Sequence, residues 1–294
     1  MAGRTEGRTA VIDTPAGLLA RHRKAGWMLV SALVAVNIVS HDAAQSVVGW
    51  AGDRFTIERL SWYFTVGGVI GGCSAIAWGG RRLRSHPGAG MLAVAGLVTL
   101  ALMGVAYNTL FMVNTEAVHY PQYALFGMLA LPLVGRITET IVWVALWGAF
   151  DEAWQYWWLS GNVDYVYFDF NDIVLNLLGG ALGVLLAVVL LGAACERVDT
   201  GYGAGRLLRS RAVVATGALL GTGTLLWLGG VLTLYPDPDA WIVLARAGPR
   251  AAYWATSYWG KTAHVLLPGE GLALVALLVG LYLPLDRRLR LRLD

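Results

Sequence analysis

Three short stretches hold most of the side chains able to share protons or grip a ligand. NTEAVHYPQY (114–123) sets Glu116, His119, Tyr120 and Tyr123 at offsets 0, 3, 4 and 7, on one helical face. GAFDEAWQYWW (148–158) places Asp151, Glu152 and Gln155 about one turn apart, and Asp151 lies seven residues before Trp158, about 10 Å along a helix. DFNDIVLNLLGGALG (169–183) aligns Asp172, Asn176, Gly179 and Gly183 at offsets 0, 4, 7 and 11, polar at its start and small further in. In such a set Asp151 or Glu152 could serve as a general base, His119 as an acid or metal ligand, and Asp172 as a further ligand. Each group also has a plainer use. Asp172 suits a first helical turn, with Asp169 or Asn171 as N-cap; His119 can be a hydrogen-bonded structural histidine; Gln155 and Asn176 can bond between helices. Asp151 beside Glu152 resists the plain reading most, because neighbouring like charges need a proton or a cation between them.

The elements that carry these groups are strongly apolar. The 294 residues hold 22 Lys and Arg and 19 Asp and Glu, so only 14% are charged, 57% are hydrophobic, and the mean hydropathy is +0.58. This excludes disorder and argues against a soluble globular fold. A span needs about 20 mostly apolar residues. Eight stretches qualify: Gly26–Val48, Leu60–Trp78, Met91–Met112, Val118–Val134, Ile137–Trp158, Ile173–Cys195, Val213–Leu234 and Gly271–Leu285. With a cytoplasmic N-terminus, 17 of the 22 basic residues fall on inside segments and five (Arg54, Arg59, Arg246, Arg250 and Lys261) outside, a split that an odd span number would destroy. The expected fold is therefore all-α, a polytopic bundle of about eight spans with both termini cytoplasmic, in a bacterial-type inner membrane. Its regions are a cytoplasmic segment (1–25), three N-terminal spans (26–112), a three-helix core (113–195) and a C-terminal region (196–294) with two spans and a long outer loop. The site of interest then lies on the outer side.

Other features bear on packing. Gly67 with Gly71, Gly68 with Gly72, Gly179 with Gly183 and Gly217 with Gly221 are small-xxx-small pairs that allow close helix contact. Asn37, His41 and Gln45, with Asp42 beside them, form a weaker polar stripe that could extend the site or pair with Arg54 and Arg59. The outer segment 235–270, rich in Trp and Tyr, reads as an interfacial helix broken near Pro249. Cys73 and Cys195 form no disulfide framework or zinc spacing, and the basic start favours an uncleaved signal anchor over a cleaved leader. The basic clusters flank apolar runs, which topology explains without a nucleic-acid partner.

The three polar stretches resemble the VanZ-like family of integral membrane proteins. That pattern has an acid, a histidine and a tyrosine opening one helix, an acidic pair and glutamine ending the next, and an aspartate, asparagine and glycines opening the third. Here these are Glu116, His119 and Tyr123, then Asp151, Glu152 and Gln155, then Asp172, Asn176, Gly179 and Gly183, over residues 113–195. The chain departs from the family in having Ala117 after Glu116 and no basic residue in the loop before the third helix, which removes positive charge near the carboxylates.

Three functions compete. The resemblance and the aromatic rim imply a cell-envelope protein binding a lipid, a lipid-linked precursor or another amphiphile through an acidic pocket, as in glycopeptide resistance. The Asp/Glu/His set alternatively implies a membrane-embedded hydrolase or transferase. The extra spans could instead serve a structural subunit with a membrane-protein partner. A divalent metal could be held by carboxylates and His119, but no tight metal motif supports one. A transporter is disfavoured because the polar track stops midway through the bundle.

Overall fold

The computed structural model describes residues 15–84, 86, 88–111, 114–159, 168–190, 194–234, 237, 239–244, 254–256 and 261–292. The chain is mainly helical. In order it forms α1 (Pro15–Arg21), α2 (Arg23–Val39), α3 (His41–Arg54), α4 (Ile57–Leu83) and α5 (Ala89–Thr109). A 3-10 turn (Asn114–Val118) leads into α6 (His119–Val134), and α7 (Ile137–Trp154) continues through a π turn (Gln155–Leu159). There follow α8 (Phe170–Leu190), β1 (Ala194–Arg197), α9 (Ala204–Leu207), α10 (Arg211–Leu228), β2 (Leu232–Thr233), β3 (Ile242–Val243), β4 (Trp254–Thr256), β5 (Thr262–His264), α11 (Pro268–Arg288) and β6 (Leu289–Arg292).

Glycine ends two of these helices. Gly135, at φ 77°, terminates α6, its N–H donating to the Leu131 carbonyl, so Arg136 alone separates it from α7. At the end of α10, Gly230 (φ 73°) donates to the Trp227 carbonyl while Val231 donates to that of Leu226. That is a Schellman closure, which needs a left-handed residue after the cap. The expected span to Leu234 therefore stops at Leu228.

The long helices alternate in direction. At one end of the bundle, Asp286 of α11 bonds the first N–H groups of α7, β1 pairs antiparallel with β6, and Gly26 of α2 abuts Leu133 of α6. At the other end, Asn171 of α8 bonds the Leu110 carbonyl just after α5 and the His264 carbonyl before α11. Gln122 of α6 there bonds Asn37 of α2. The helix α8 is the hub, with 78% of its apolar window buried, while α4 and α10 have 6% buried. Val69, Ile70, Leu225 and Leu228 are all exposed on those outer helices. Apolar faces of that extent are what a bilayer accommodates and water does not.

Among the described residues, five helices are long and apolar enough to cross a membrane: α4, α5, α8, α10 and α11. Three expected spans fall on segments that are shorter or more polar. The first is broken at Ser40, whose hydroxyl donates to the Asn37 carbonyl, leaving α2 with 17 residues; α6 has 16; and α7 carries Glu139, Asp151 and Glu152. The sixth ends at Leu190, and Cys195 lies in β1 instead. The outer segment is not an interfacial helix where it is described: β3 pairs parallel with β2, and β4 pairs antiparallel with β5. Pro249 lies outside the described residues. Among the described residues, only Gly179 with Gly183 of the small-residue pairs meets another helix. Cβ atoms added at Gly67, Gly68, Gly71, Gly72, Gly217 or Gly221 would meet nothing within 4 Å.

Candidate functional site

The helices α6 and α8 run parallel and α7 runs antiparallel to both, so the start of α6, the end of α7 and the start of α8 coincide. Glycine brings them close. A Cβ at Gly179 would lie 2.7 Å from the Tyr120 carbonyl oxygen, one at Gly183 would enter the Ala124 backbone, and Gly127 faces Gly180 directly. With the backbones that close, the side chains just beyond the crossing are forced together.

His119 Nε2 lies 3.4 Å from Asp172 Oδ2. The Tyr123 hydroxyl donates to Asp151 Oδ2 at 2.9 Å. Glu152 accepts from Gln155 Nε2 at 3.2 Å and from the Asp169 N–H at 3.3 Å, and its carboxyl is within hydrogen-bonding reach of that of Asp172. Asp169 caps α8, accepting from the Asn171 N–H at 2.8 Å, which puts Asp172 in the first turn as expected. Asn176, one turn further in, packs against Gly148 of α7, a Cβ there lying 3.0 Å from its amide nitrogen. Glu116 lies beside the cluster, close enough for its charge to act on both His119 and Lys261. The eight polar residues of the VanZ-like pattern, Glu116, His119, Tyr123, Asp151, Glu152, Gln155, Asp172 and Asn176, therefore gather at one end of the bundle.

The cluster is closed over rather than open. Asp151 and Asn176 are fully buried, and Glu152 and His119 are buried too; Asp172, with a 16% exposed side chain, is its route to the surface. Three carboxyl groups this close need protons or cationic partners between them. The nearest partners are the two histidines. Among the described residues no group of three or more His, Cys, Asp or Glu side chains is placed to hold a metal ion.

Three contributors are not among those eight. His41, opening α3, brings Nδ1 to 3.9 Å from Asp151 Oδ1, so the weak stripe does reach the site. Its signal was the i, i+4 spacing from Asn37. The Asp42 and Gln45 side chains lie outside the described set, and Arg54 lies over the Trp50 ring. Asn171 fastens three strands of chain: its amide nitrogen donates to the carbonyls of Leu110 and His264, and its oxygen accepts from the Leu266 N–H. Lys261 donates to the Tyr107 carbonyl at 2.7 Å and sits over the Tyr107 and Phe111 rings. Burial there pushes its ammonium below its ordinary value, while Glu116 pulls it back up. It supplies, from 90 residues beyond Asn171, a positive charge that the loop before α8 lacks.

Asp286 accepts from the N–H groups of Ile137 and Thr138 at 2.9 and 2.7 Å, and Arg136 lies over the Tyr202 ring. No family model, curated protein or solved structure matches the chain, so the VanZ-like resemblance stands on the motif residues and their spacing alone.

Proposed function

We propose that the chain is a VanZ-like cell-envelope protein that binds a lipid, a lipid-linked precursor or another amphiphile at the cluster formed by the start of α6, the end of α7 and the start of α8. The carrying observation is the meeting of His119 with Asp172 and of Tyr123 with Asp151, both largely withdrawn from solvent. In this reading eight helices (α2, α4, α5, α6, α7, α8, α10 and α11) cross the membrane. Both termini are cytoplasmic, and the cluster lies toward the outer side, in keeping with the alternation of helix direction and the 17-to-5 distribution of basic residues. Trp157, Trp158 and Trp254, exposed near the cluster's end, suit an interface.

The test is to purify the protein and measure what co-purifies. A stoichiometric amphiphile in the wild type, reduced in Glu152→Gln, supports the reading; none in either, or equal amounts, overturns it. A membrane-embedded hydrolase or transferase is the second reading, favoured by one observation, the His119–Asp172 couple, in which a carboxylate orients an imidazole for acid–base work. Turnover of the bound amphiphile, abolished in His119→Gln, would establish that reading over simple binding.

A further inference from the structure

The polar atoms left over inside the cluster say what kind of headgroup would complete it. Both amide atoms of fully buried Asn176 lack a partner among the described residues, as does His119 Nδ1. Asp151 Oδ1 has His41 only at 3.9 Å, beyond hydrogen-bond length. These atoms belong to one neighbourhood, since Asn176 packs on Gly148, Asp151 is one turn along α7 from Gly148, and His119 faces Asp172, one turn from Asn176 on α8. The set includes a fixed donor (the Asn176 amide nitrogen), fixed acceptors (Asn176 Oδ1 and Asp151 Oδ1) and an imidazole nitrogen that can be either.

Three headgroup chemistries can be compared against that set. An anionic headgroup would face Asp151, Glu152 and Asp172, and the ammonium of Lys261 is already bonded to the Tyr107 carbonyl. An ammonium headgroup donates only, leaving the Asn176 amide N–H groups unmatched. A hydroxyl donates and accepts at once, and neighbouring hydroxyls can bridge a carboxylate, an amide and an imidazole without adding charge. Close by on α7 and its π turn, Trp154 and Trp158 stack at 5.1 Å and 17°, a flat apolar surface suited to the C–H face of a sugar ring.

We infer that the cluster binds an uncharged polyhydroxyl headgroup, such as a sugar, carried on an amphiphile. The inference rests on the amphiphile reading above, and the test separates the two. The full-length protein in phosphatidylcholine nanodiscs is titrated with dodecyl glucoside, dodecylammonium and dodecyl phosphate, probes sharing one chain length, with binding followed by tryptophan fluorescence. Saturable binding of the glucoside in preference to the other two is expected. Asn176→Leu should weaken it about tenfold or more, because buried groups of the sugar lose their partners. Asn176→Asp keeps the side-chain shape and removes the donor, and the same loss is expected there should the leucine variant not fold. Gly71→Ala, on the open face of α4, should leave binding unchanged. Tighter binding of dodecylammonium or dodecyl phosphate than of the glucoside overturns the headgroup assignment while the amphiphile site stands. Glucoside binding indifferent to both Asn176 variants overturns the assignment as well. No saturable binding of any probe overturns the amphiphile reading itself.

Discussion

Single side chains in the cluster are held by bonds whose loss has a readable cost. The Tyr123 hydroxyl donates to a buried carboxylate, a bond worth about 1.5–3 kcal/mol. Tyr123→Phe should therefore lower thermal stability by that order, measured in detergent by loss of helical circular dichroism, whereas removing the Tyr120 hydroxyl, which donates to the Met103 carbonyl on a half-buried face, should cost less. At the far end of the bundle, burial and the nearby acids Asp286 and Glu139 push the Tyr202 hydroxyl up to about 12. A tyrosine whose folded value lies above its unfolded one contributes stability that is complete below about pH 10 and lost as pH rises toward 12. In Tyr202→Phe that part of the alkaline loss should vanish; an unchanged alkaline profile would show that Tyr202 is not the titrating group.

Between elements, the decisive contacts are glycine to backbone. Gly183 has no room for a methyl group because the Ala124 backbone occupies the place, and two packed main chains cannot yield as a flexible side chain can. Gly183→Ala should cost about 3 kcal/mol or more and separate α6 from α8, while Gly71→Ala, with nothing within 4 Å, should be close to neutral. If both substitutions prove equally mild, the crossing is looser than described. The sequence shows two pairs of identical appearance here, and only tertiary placement distinguishes them. What was legible was local. The offsets of Glu116, His119 and Tyr123, of Asp151, Glu152 and Gln155, and of Asp172 and Asn176 each define one helical face, and short connections bring the three faces to one end. What was hidden depends on distant pairing: Asp286 bonds α7 from 148 and 149 residues away, and Asn171 reaches the His264 carbonyl 93 residues on. The strands beyond α10 were hidden for the same reason, since a two-residue ladder has no periodicity to read.

At the scale of the molecule, the arrangement is a closely packed core around α8 with apolar helices laid outside it, and the bilayer decides which end faces out. The helices α2 and α6, at 17 and 16 residues, rise only about 24–26 Å, short of a 30 Å hydrocarbon layer, yet each packs on the bundle along one side: α6 continues a 3-10 turn and packs on α8, and α2 packs on α6 through Val30 and Val34. Their shortness is therefore compatible with crossing inside a bundle, where protein replaces lipid along part of the surface. The sidedness can be tested at two exposed positions on opposite ends, Thr256 in β4 and Asp199 beside the β1–β6 pair. In a Cys73→Ala, Cys195→Ala background, Thr256→Cys should react with a membrane-impermeant maleimide on intact spheroplasts, and Asp199→Cys only after lysis. The reverse pattern would put the cluster on the cytoplasmic side. Labelling of both in intact cells would mean that the chain does not cross an odd number of times between them, removing α10, the one proposed span between these positions, from the set of spans.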